Sequence, residues 1–318
     1  MTKKLVCEKA LVWSVPLHAY AIHPKWSHAD PTTNLVLVTP SGNPLQLKNL
    51  TFNQVAMSYD LKRNEEFISP TALTFSNNRD HFVTGSNKRI AIFDVNTKRP
   101  LQNLPTLSEG VGICGIVSSL AISAMGVLAA GTLSRWIGLY DAEGRGAEQV
   151  CFSVGNEHPN VQGCGISSLH WSADGFYLYV AERYSACVLV YDMRRGQLLS
   201  KLCGRYGETY QRLGVQAGHD RIGGQAVLAG GTDGRVSVWH YPQWFEGDVE
   251  PTSTHQMHTD AVSSIAVCPR SHGRHLATCS GSRRTAGAVG SGSDFSVKIW
   301  TALDASADDA TPLRDRTF

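Results

Sequence analysis

The feature of this 318-residue sequence that most restricts its fold is a long-period repeat. An aromatic or apolar residue followed by Asp or another polar residue recurs at Leu47-Lys48, Phe93-Asp94, Tyr140-Asp141, Tyr191-Asp192, Trp239-His240 and Trp300-Thr301. The second residues of successive pairs are 46, 47, 51, 48 and 61 positions apart. A four-stranded propeller blade needs roughly 40–45 residues, so the intervals match or slightly exceed one blade, and the last carries an insertion.

The phase inside each unit agrees. An apolar strand comes first (Ala72-Leu73-Thr74-Phe75, Ser119-Leu120-Ala121-Ile122, Ser168-Leu169-His170-Trp171), then a turn, a second strand, and a third that ends at the marker pair. Asp174-Gly175 and Asp233-Gly234 sit at such turns, where Gly takes positive φ without cost and Asp tolerates it. Runs such as Ile90-Ala91-Ile92-Phe93, Val188-Leu189-Val190-Tyr191 and Val236-Ser237-Val238-Trp239 are short, rich in β-branched and aromatic residues, and separated by Gly and Ser, which favours strands over helices. A single such sheet leaves both faces exposed, so the units are expected to stack radially. Composition agrees: 42% hydrophobic, 18% charged and 30 Gly suit short strands and tight turns.

With 29 basic against 27 acidic residues the net charge is +2, so attraction to nucleic acid has to come from local clustering. The eight cysteines are scattered without Cys-x-x-Cys spacing and read as free thiols. The apolar run after Met1-Thr2-Lys3-Lys4 is too short for a secretory signal, and nowhere do about 18 apolar residues run together. The expectation is a soluble intracellular protein with no membrane partner.

Several stretches point to a family. Gly115-Ile116-Val117-Ser118-Ser119-Leu120 followed by Gly131-Thr132-Leu133-Ser134-Arg135-Trp136-Ile137-Gly138-Leu139-Tyr140 resembles the WD-repeat proteins related to telomerase Cajal body protein, including fungal splicing-associated relatives. Upstream, Ser41-Gly42-Asn43-Pro44-Leu45, Tyr59-Asp60-Leu61 and Ser86-Asn87-Lys88-Arg89-Ile90 continue the likeness, as do Gln211-Arg212-Leu213 and Thr232-Asp233-Gly234-Arg235-Val236-Ser237-Val238-Trp239 downstream. It spans about Pro16 to Tyr241, and the ordered succession is more specific than any one motif. The resemblance implies an all-β, seven-bladed WD-repeat β-propeller without catalytic chemistry. It implies a nuclear protein of Cajal-body-like sites, with the cytoplasm as alternative, whose partners are small nuclear or guide RNA and ribonucleoprotein proteins in splicing, telomerase or RNA-modification work. Here six blades are recognisable, and the first clear unit, entered near Val12-Trp13-Ser14-Val15, looks like the family's second. Either six blades close, with Leu5-Val6-Cys7 as outer strand of the last, or the chain lacks its first blade. The propeller is expected over residues 1–301, with residues 302–318 as a disordered tail.

In WD propellers the turn between second and third strands opens on the face of the inter-blade connections. Basic residues collect there: Lys88 and Arg89, Arg135 beside Trp136, Arg183 beside Tyr184, and Arg235 in turns, with Lys62-Arg63, Arg205-Tyr206 and Arg212 in connections. Guanidinium groups grip phosphates bidentately and neighbouring aromatics stack unpaired bases, so Lys88, Arg89, Arg135, Trp136, Arg183, Tyr184, Arg205, Arg212 and Arg235 are the candidate RNA-binding residues. Arg135 and Arg212 lead, because their whole local motifs match the family. The competing reading of each arginine is a solvated turn residue or a stem packed on the next blade.

Other signals are structural. His258 in His258-Thr259-Asp260 is expected to make a hydrogen bond within its blade, and the spacing of His255 and His258 without further ligands does not make a metal site. Gly110-Val111-Gly112-Ile113-Cys114-Gly115 satisfies Gly-x-Gly-x-x-Gly but leads into a strand, where a dinucleotide needs a helix N-terminus, so it is expected to be a flexible inter-blade loop. No nucleophile elbow, phosphate-binding loop, His-x-x-x-His or kinase set occurs, so no enzyme activity, cofactor or small-molecule substrate is expected. The Gly/Ser-rich residues 280–293, with Arg283-Arg284 inside, are expected to form a mobile loop.

Overall fold

The structure, a computed structural model, describes residues 13–27, 29–108, 110–219, 225–268, 275–281 and 294–301. The expected strand at Leu5-Val6-Cys7, the arginines of the Gly/Ser-rich loop and the tail lie outside the described residues. What is described is almost entirely β and comprises six β-propeller blades.

Blade 1 is β1 (Leu17–Ile22), β2 (Leu35–Pro40), β3 (Leu45–Asn49) and β4 (Gln54–Tyr59), antiparallel in sequence order. A small hairpin, β5 (Lys62–Arg63) with β6 (Glu66–Phe67), leads to blade 2: β7 (Ala72–Phe75), β8 (His81–Ser86), β9 (Arg89–Asp94) and β10 (Gln102–Pro105). A second hairpin, β11 (Leu107–Ser108) with β12 (Val111–Gly112), puts a short strand inside the Gly-x-Gly-x-x-Gly stretch expected to be a loop, and the chain passes from it to the strand starting at Val117 without a helix. Blade 3 is β13 (Val117–Ile122), β14 (Leu128–Thr132), β15 (Trp136–Tyr140) and β16 (Glu148–Ser153), closed by the one-turn helix α1 (Val154–Glu157).

Blade 4 is β17 (Ile166–Trp171), β18 (Tyr177–Glu182), β19 (Val188–Asp192) and β20 (Gln197–Leu202). Blade 5 begins with β21 (Val215–His219), β22 (Gln225–Gly230) and β23 (Arg235–His240). The chain then detours through β24 (Gly247–Val249), which pairs in parallel with β20 of blade 4, before β25 (Ser253–Gln256) completes blade 5. An outer edge with open backbone groups invites unwanted pairing, and β24 covers it for blade 4. Blade 6 is described as β26 (Val262–Val267), β27 (His275–Ser280) and β28 (Val297–Thr301).

The described residues fall into two compact units, one ending at Val161 and the other starting at Gln162, with three blades in each. Within the first, blades 1 and 2 share a core of Leu37, Leu45, Leu47, Tyr59, Phe82 and Phe93, and blades 2 and 3 share one of Val83, Ile90, Ile92, Val117, Leu128 and Tyr140. Phe82 and Phe93 stack at 4.9 Å, with Tyr59 edge-on to Phe82 at 4.8 Å. In the second unit, Tyr179, Val188, Val190, Val227 and Trp239 join blades 4 and 5, while Val236, Met257, Val262, Ile265 and Trp300 join blades 5 and 6. Each core draws on two neighbouring sheets, the face burial that a lone blade cannot achieve.

Every marker pair lies on or at the end of a third strand, but the first is displaced. The kink in the outer ladder falls after Leu47, Leu139 and Val190, which aligns Lys48-Asn49 with Tyr140-Asp141 and Tyr191-Asp192. The chemistry concurs. Asn49 Oδ1 accepts the Phe52 amide at 3.0 Å as Asp94 and Asp192 accept those of Asn96 and Arg194 at 2.7 and 3.0 Å, so the polar member of the pair caps the turn into the fourth strand.

Candidate functional site

The turn between second and third strands is tied, blade after blade, to the connection leading onward. In blade 1 the Gly42 amide donates to Ser69 Oγ at 3.0 Å. In blade 2 the Lys88 amide donates to the Gly115 carbonyl and the Lys88 carbonyl accepts from Thr106, both at 3.1 Å. Blade 4 ties the Tyr184 amide to the Thr209 carbonyl at 2.9 Å, and in blade 5 the Gly234 carbonyl accepts from Met257 and His258 at 3.1 and 3.0 Å. Turn and connection therefore share one face within each blade pair, as the candidate site requires. The turns need unusual backbone: Lys88, Arg135 and Tyr184 all have positive φ, and at Gly234 a Cβ would run into the His258 carbonyl.

In the second unit this geometry assembles a basic and aromatic cluster. One connection, residues 203–214, passes three blades: it holds the Tyr184 amide, its Tyr206 carbonyl accepts the Thr232 amide at 2.8 Å, and the Gln211 side chain reaches the Gly281 carbonyl. The Tyr184 and Tyr210 rings lie 5.3 Å apart, tilted by 33°. Tyr206 and Tyr210 are 62% and 66% exposed. Arg183, next to Tyr184 in the same turn, is half-buried, while Arg212 and Arg235 are exposed. Burial, and then the Arg212 charge, push His170 down to about 4. Arg235 Nε donates to Gln256 Oε1 at 3.1 Å, with the Asp233 carboxylate at 3.6 Å.

Arg205 is placed otherwise. It is 5% exposed, with Nη2 donating to the carbonyls of Ser185 at 3.0 Å and Glu182 at 3.4 Å. Nε and Nη1 are buried without a hydrogen-bond partner, and loss of hydration lowers its pKa to about 10. Arg205 thus pins the blade 4 turn from beneath, and Gly207 must lack a Cβ to let Ser185 and Arg205 approach.

The first unit presents a smaller patch. Lys88 is exposed, Arg89 is half-buried with Nη1 3.5 Å from the Lys62 carbonyl, and Lys62 and Arg63 are exposed on β5, with Lys62 Nζ 4.6 Å from the Phe67 ring centroid. Arg135 and Trp136 face inward. The Arg135 guanidinium donates from Nη2 to the Val161 carbonyl at 2.8 Å and lies against Gly155, while Trp136 packs on the core of blades 2 and 3. Tyr210 is the cluster member the sequence reading passed over. Its signal was available, since Tyr206 and Tyr210 stand four apart between Arg205 and Arg212.

Blade 6 carries a different constellation. His258 Nδ1 meets Asp294 Oδ2 at 2.9 Å, His258 Nε2 meets Thr278 Oγ1 at 2.8 Å, and Trp300 Nε1 donates to that same oxygen at 2.8 Å. His258 therefore makes the hydrogen bonds within its blade that its sequence context predicts. Burial pushes Asp294 up, but hydrogen bonds from Ser296, His258 and the Thr259 amide outweigh it and hold the carboxyl well below the usual range. Among the described residues no group of three His, Cys, Asp or Glu could hold a metal ion, and no helix is long and apolar enough to cross a membrane.

Blades of this build, with their turn-to-connection bonding and the Trp-Thr-His-Asp chain of blade 6, define a WD-repeat β-propeller protein. No family model matches the chain. It is 29% identical over 234 residues to guanine nucleotide-binding protein negative regulator 1 of Schizosaccharomyces pombe, covering 70% of this chain and 56% of that protein. It is 27% identical over 275 residues to telomerase Cajal body protein 1 of Rattus norvegicus (84% and 49%), and 26% over 195 residues to Protein SWT21 of Candida glabrata (55% and 44%). The chain spans about half the length of the curated relatives it matches. Its sequence is similar to the WD-repeat proteins related to telomerase Cajal body protein.

Proposed function

We propose that the chain is a non-catalytic scaffold that binds small noncoding RNA in the nucleus and holds it alongside ribonucleoprotein proteins. The observation that carries this reading is the connection of residues 203–214 in the second unit, which is bonded to the turns bearing Arg183-Tyr184 and Arg235, carries exposed Tyr206, Tyr210 and Arg212, and sets Tyr210 5.3 Å from the Tyr184 ring. Unpaired bases stack on tyrosine while guanidinium groups grip the flanking phosphates, a pairing suited to RNA loops more than to a regular duplex. Lys88 and Arg89 extend the basic character to the first unit as phosphate contacts. Arg135 and Arg205, tied to backbone carbonyls, act on this reading by holding the connections in place.

The name of the rat relative refers to telomerase and the Cajal body, which agrees with an RNA-bearing nuclear partner. A second reading, a protein-interaction propeller with no direct RNA contact, draws on the fission-yeast relative, whose name refers to a guanine nucleotide-binding protein. Ultraviolet cross-linking of the folded chain to small nuclear RNAs distinguishes them. RNA recognition predicts adducts on Tyr206 or Tyr210 and loss of most cross-linking in Tyr210→Ala. Adducts spread over unrelated surfaces, or none, would favour the protein-interaction reading.

A further inference from the structure

Blade 4 holds two thiols that the scaffold reading does not use. Cys187 immediately precedes β19 and Cys203 immediately follows β20. The ladder between those strands ends with Val188 opposite Leu202, so Cys187 and Cys203 are the next residues to face each other. Neither amide bonds across the gap: Cys187 donates to Ser185 Oγ at 3.3 Å and Cys203 to the Val249 carbonyl at 2.9 Å. Facing antiparallel positions without mutual backbone bonds bring side chains closest. The two Sγ atoms lie 2.8 Å apart. A disulfide needs about 2.05 Å, so bonding asks for a closure of less than about 1 Å.

Both cysteines are half-buried, which leaves them within reach of a small oxidant. Their surroundings differ. The buried Arg205 guanidinium, whose remaining donors have no hydrogen-bond partner, lies within electrostatic reach of Cys187. Burial and the neighbouring Cys187 push the Cys203 thiol up to about 12, so Cys203 keeps its proton. A thiolate is the form that attacks peroxide, and a protonated neighbour in contact is suited to resolving the product.

We propose that Cys187 and Cys203 form a redox-modification site, in which hydrogen peroxide oxidises Cys187 and Cys203 resolves the product to a reversible disulfide. In the first step the Cys187 sulfur attacks one peroxide oxygen, the O–O bond breaks, and Cys187 sulfenic acid and water form. In the second the Cys203 sulfur displaces that hydroxyl; the S–S bond forms and the Cys203 proton leaves in a second water. A small thiol reductant returns both cysteines to the reduced state. The site does not depend on RNA recognition.

The test titrates the reduced full chain with hydrogen peroxide, quenches with an alkylating agent and identifies linked peptides by mass spectrometry. The peptide joining Cys187 to Cys203 is expected to form at least tenfold faster than any other cysteine pair and to disappear on reduction. In Cys203→Ser a sulfenic acid trappable by dimedone should accumulate on Cys187, and Cys187→Ser should leave Cys203 reduced. If Cys187 and Cys203 stay alkylatable while other cysteines oxidise, or if Cys187→Ser leaves Cys203 oxidation unchanged, the proposal is overturned. The first readout uses the unaltered chain, so a misfolded variant cannot decide the result.

Discussion

Arg205 shows how much a position in sequence leaves undecided about a charged side chain. Beside Tyr206 in a connection it has the context of a phosphate contact, yet its guanidinium is buried against the Ser185 and Glu182 carbonyls. Hydrogen bonds from a charged donor contribute about 1.5–3 kcal/mol, so Arg205→Ala is expected to lower stability by about 2 kcal/mol, read as a lower urea midpoint at unchanged slope. Arg205→Met should cost less, since it keeps the packing and removes two buried donors that have no partner. Arg135 is a parallel case, with Val161 taking its guanidinium. The positions of these arginines were legible in the sequence. Whether each side chain points outward is set by carbonyls 20 or more residues away, which no local pattern encodes.

At the scale of strands and turns the repeat was largely readable, because alternating burial and Gly or Asx turns are local properties. The first blade shows where it blurs. Leu47-Lys48 keeps the apolar-polar form, but Asn49 does the capping that Asp94 and Asp192 do elsewhere. β24 could not be foreseen: Gly247-Asp248-Val249 has no strand pattern of its own, and its partner β20 lies about 45 residues earlier. Blade 6 gives a test at this scale. The folded-state pKa of Asp294 is depressed, so its contribution to stability is present above the unfolded value near 4 and is lost as pH falls through the folded value. Stability should therefore decline as pH is lowered from about 5, and Asp294→Asn should be less stable at neutral pH with a flatter acid limb, measured by denaturant unfolding across pH. His258→Ala, which strips partners from both Asp294 and Thr278, is expected to cost about 2–4 kcal/mol at pH 7.

For the molecule as a whole, stability rests on cores shared by neighbouring blades, so one large side chain in such a core matters to two sheets at once. Phe82 packs between Tyr59 and Phe93, and Phe82→Ala is expected to cost about 3–5 kcal/mol in thermal or denaturant unfolding. Net charge does little for recognition, since +2 is small for a chain of this size. Function on this account is local: exposed arginines and tyrosines gathered by a connection that touches three blades. The most direct measurement is equilibrium binding of a small nuclear RNA to the folded chain across a salt series, with Arg212→Ala and Arg235→Ala beside it. Direct phosphate contact predicts affinity that falls steeply with salt, and a logarithmic slope reduced by about 0.7 for each arginine removed, as single-stranded contacts release counterions. Affinity and slope unchanged in both variants, or a folded chain that does not bind RNA at low salt, would contradict the account.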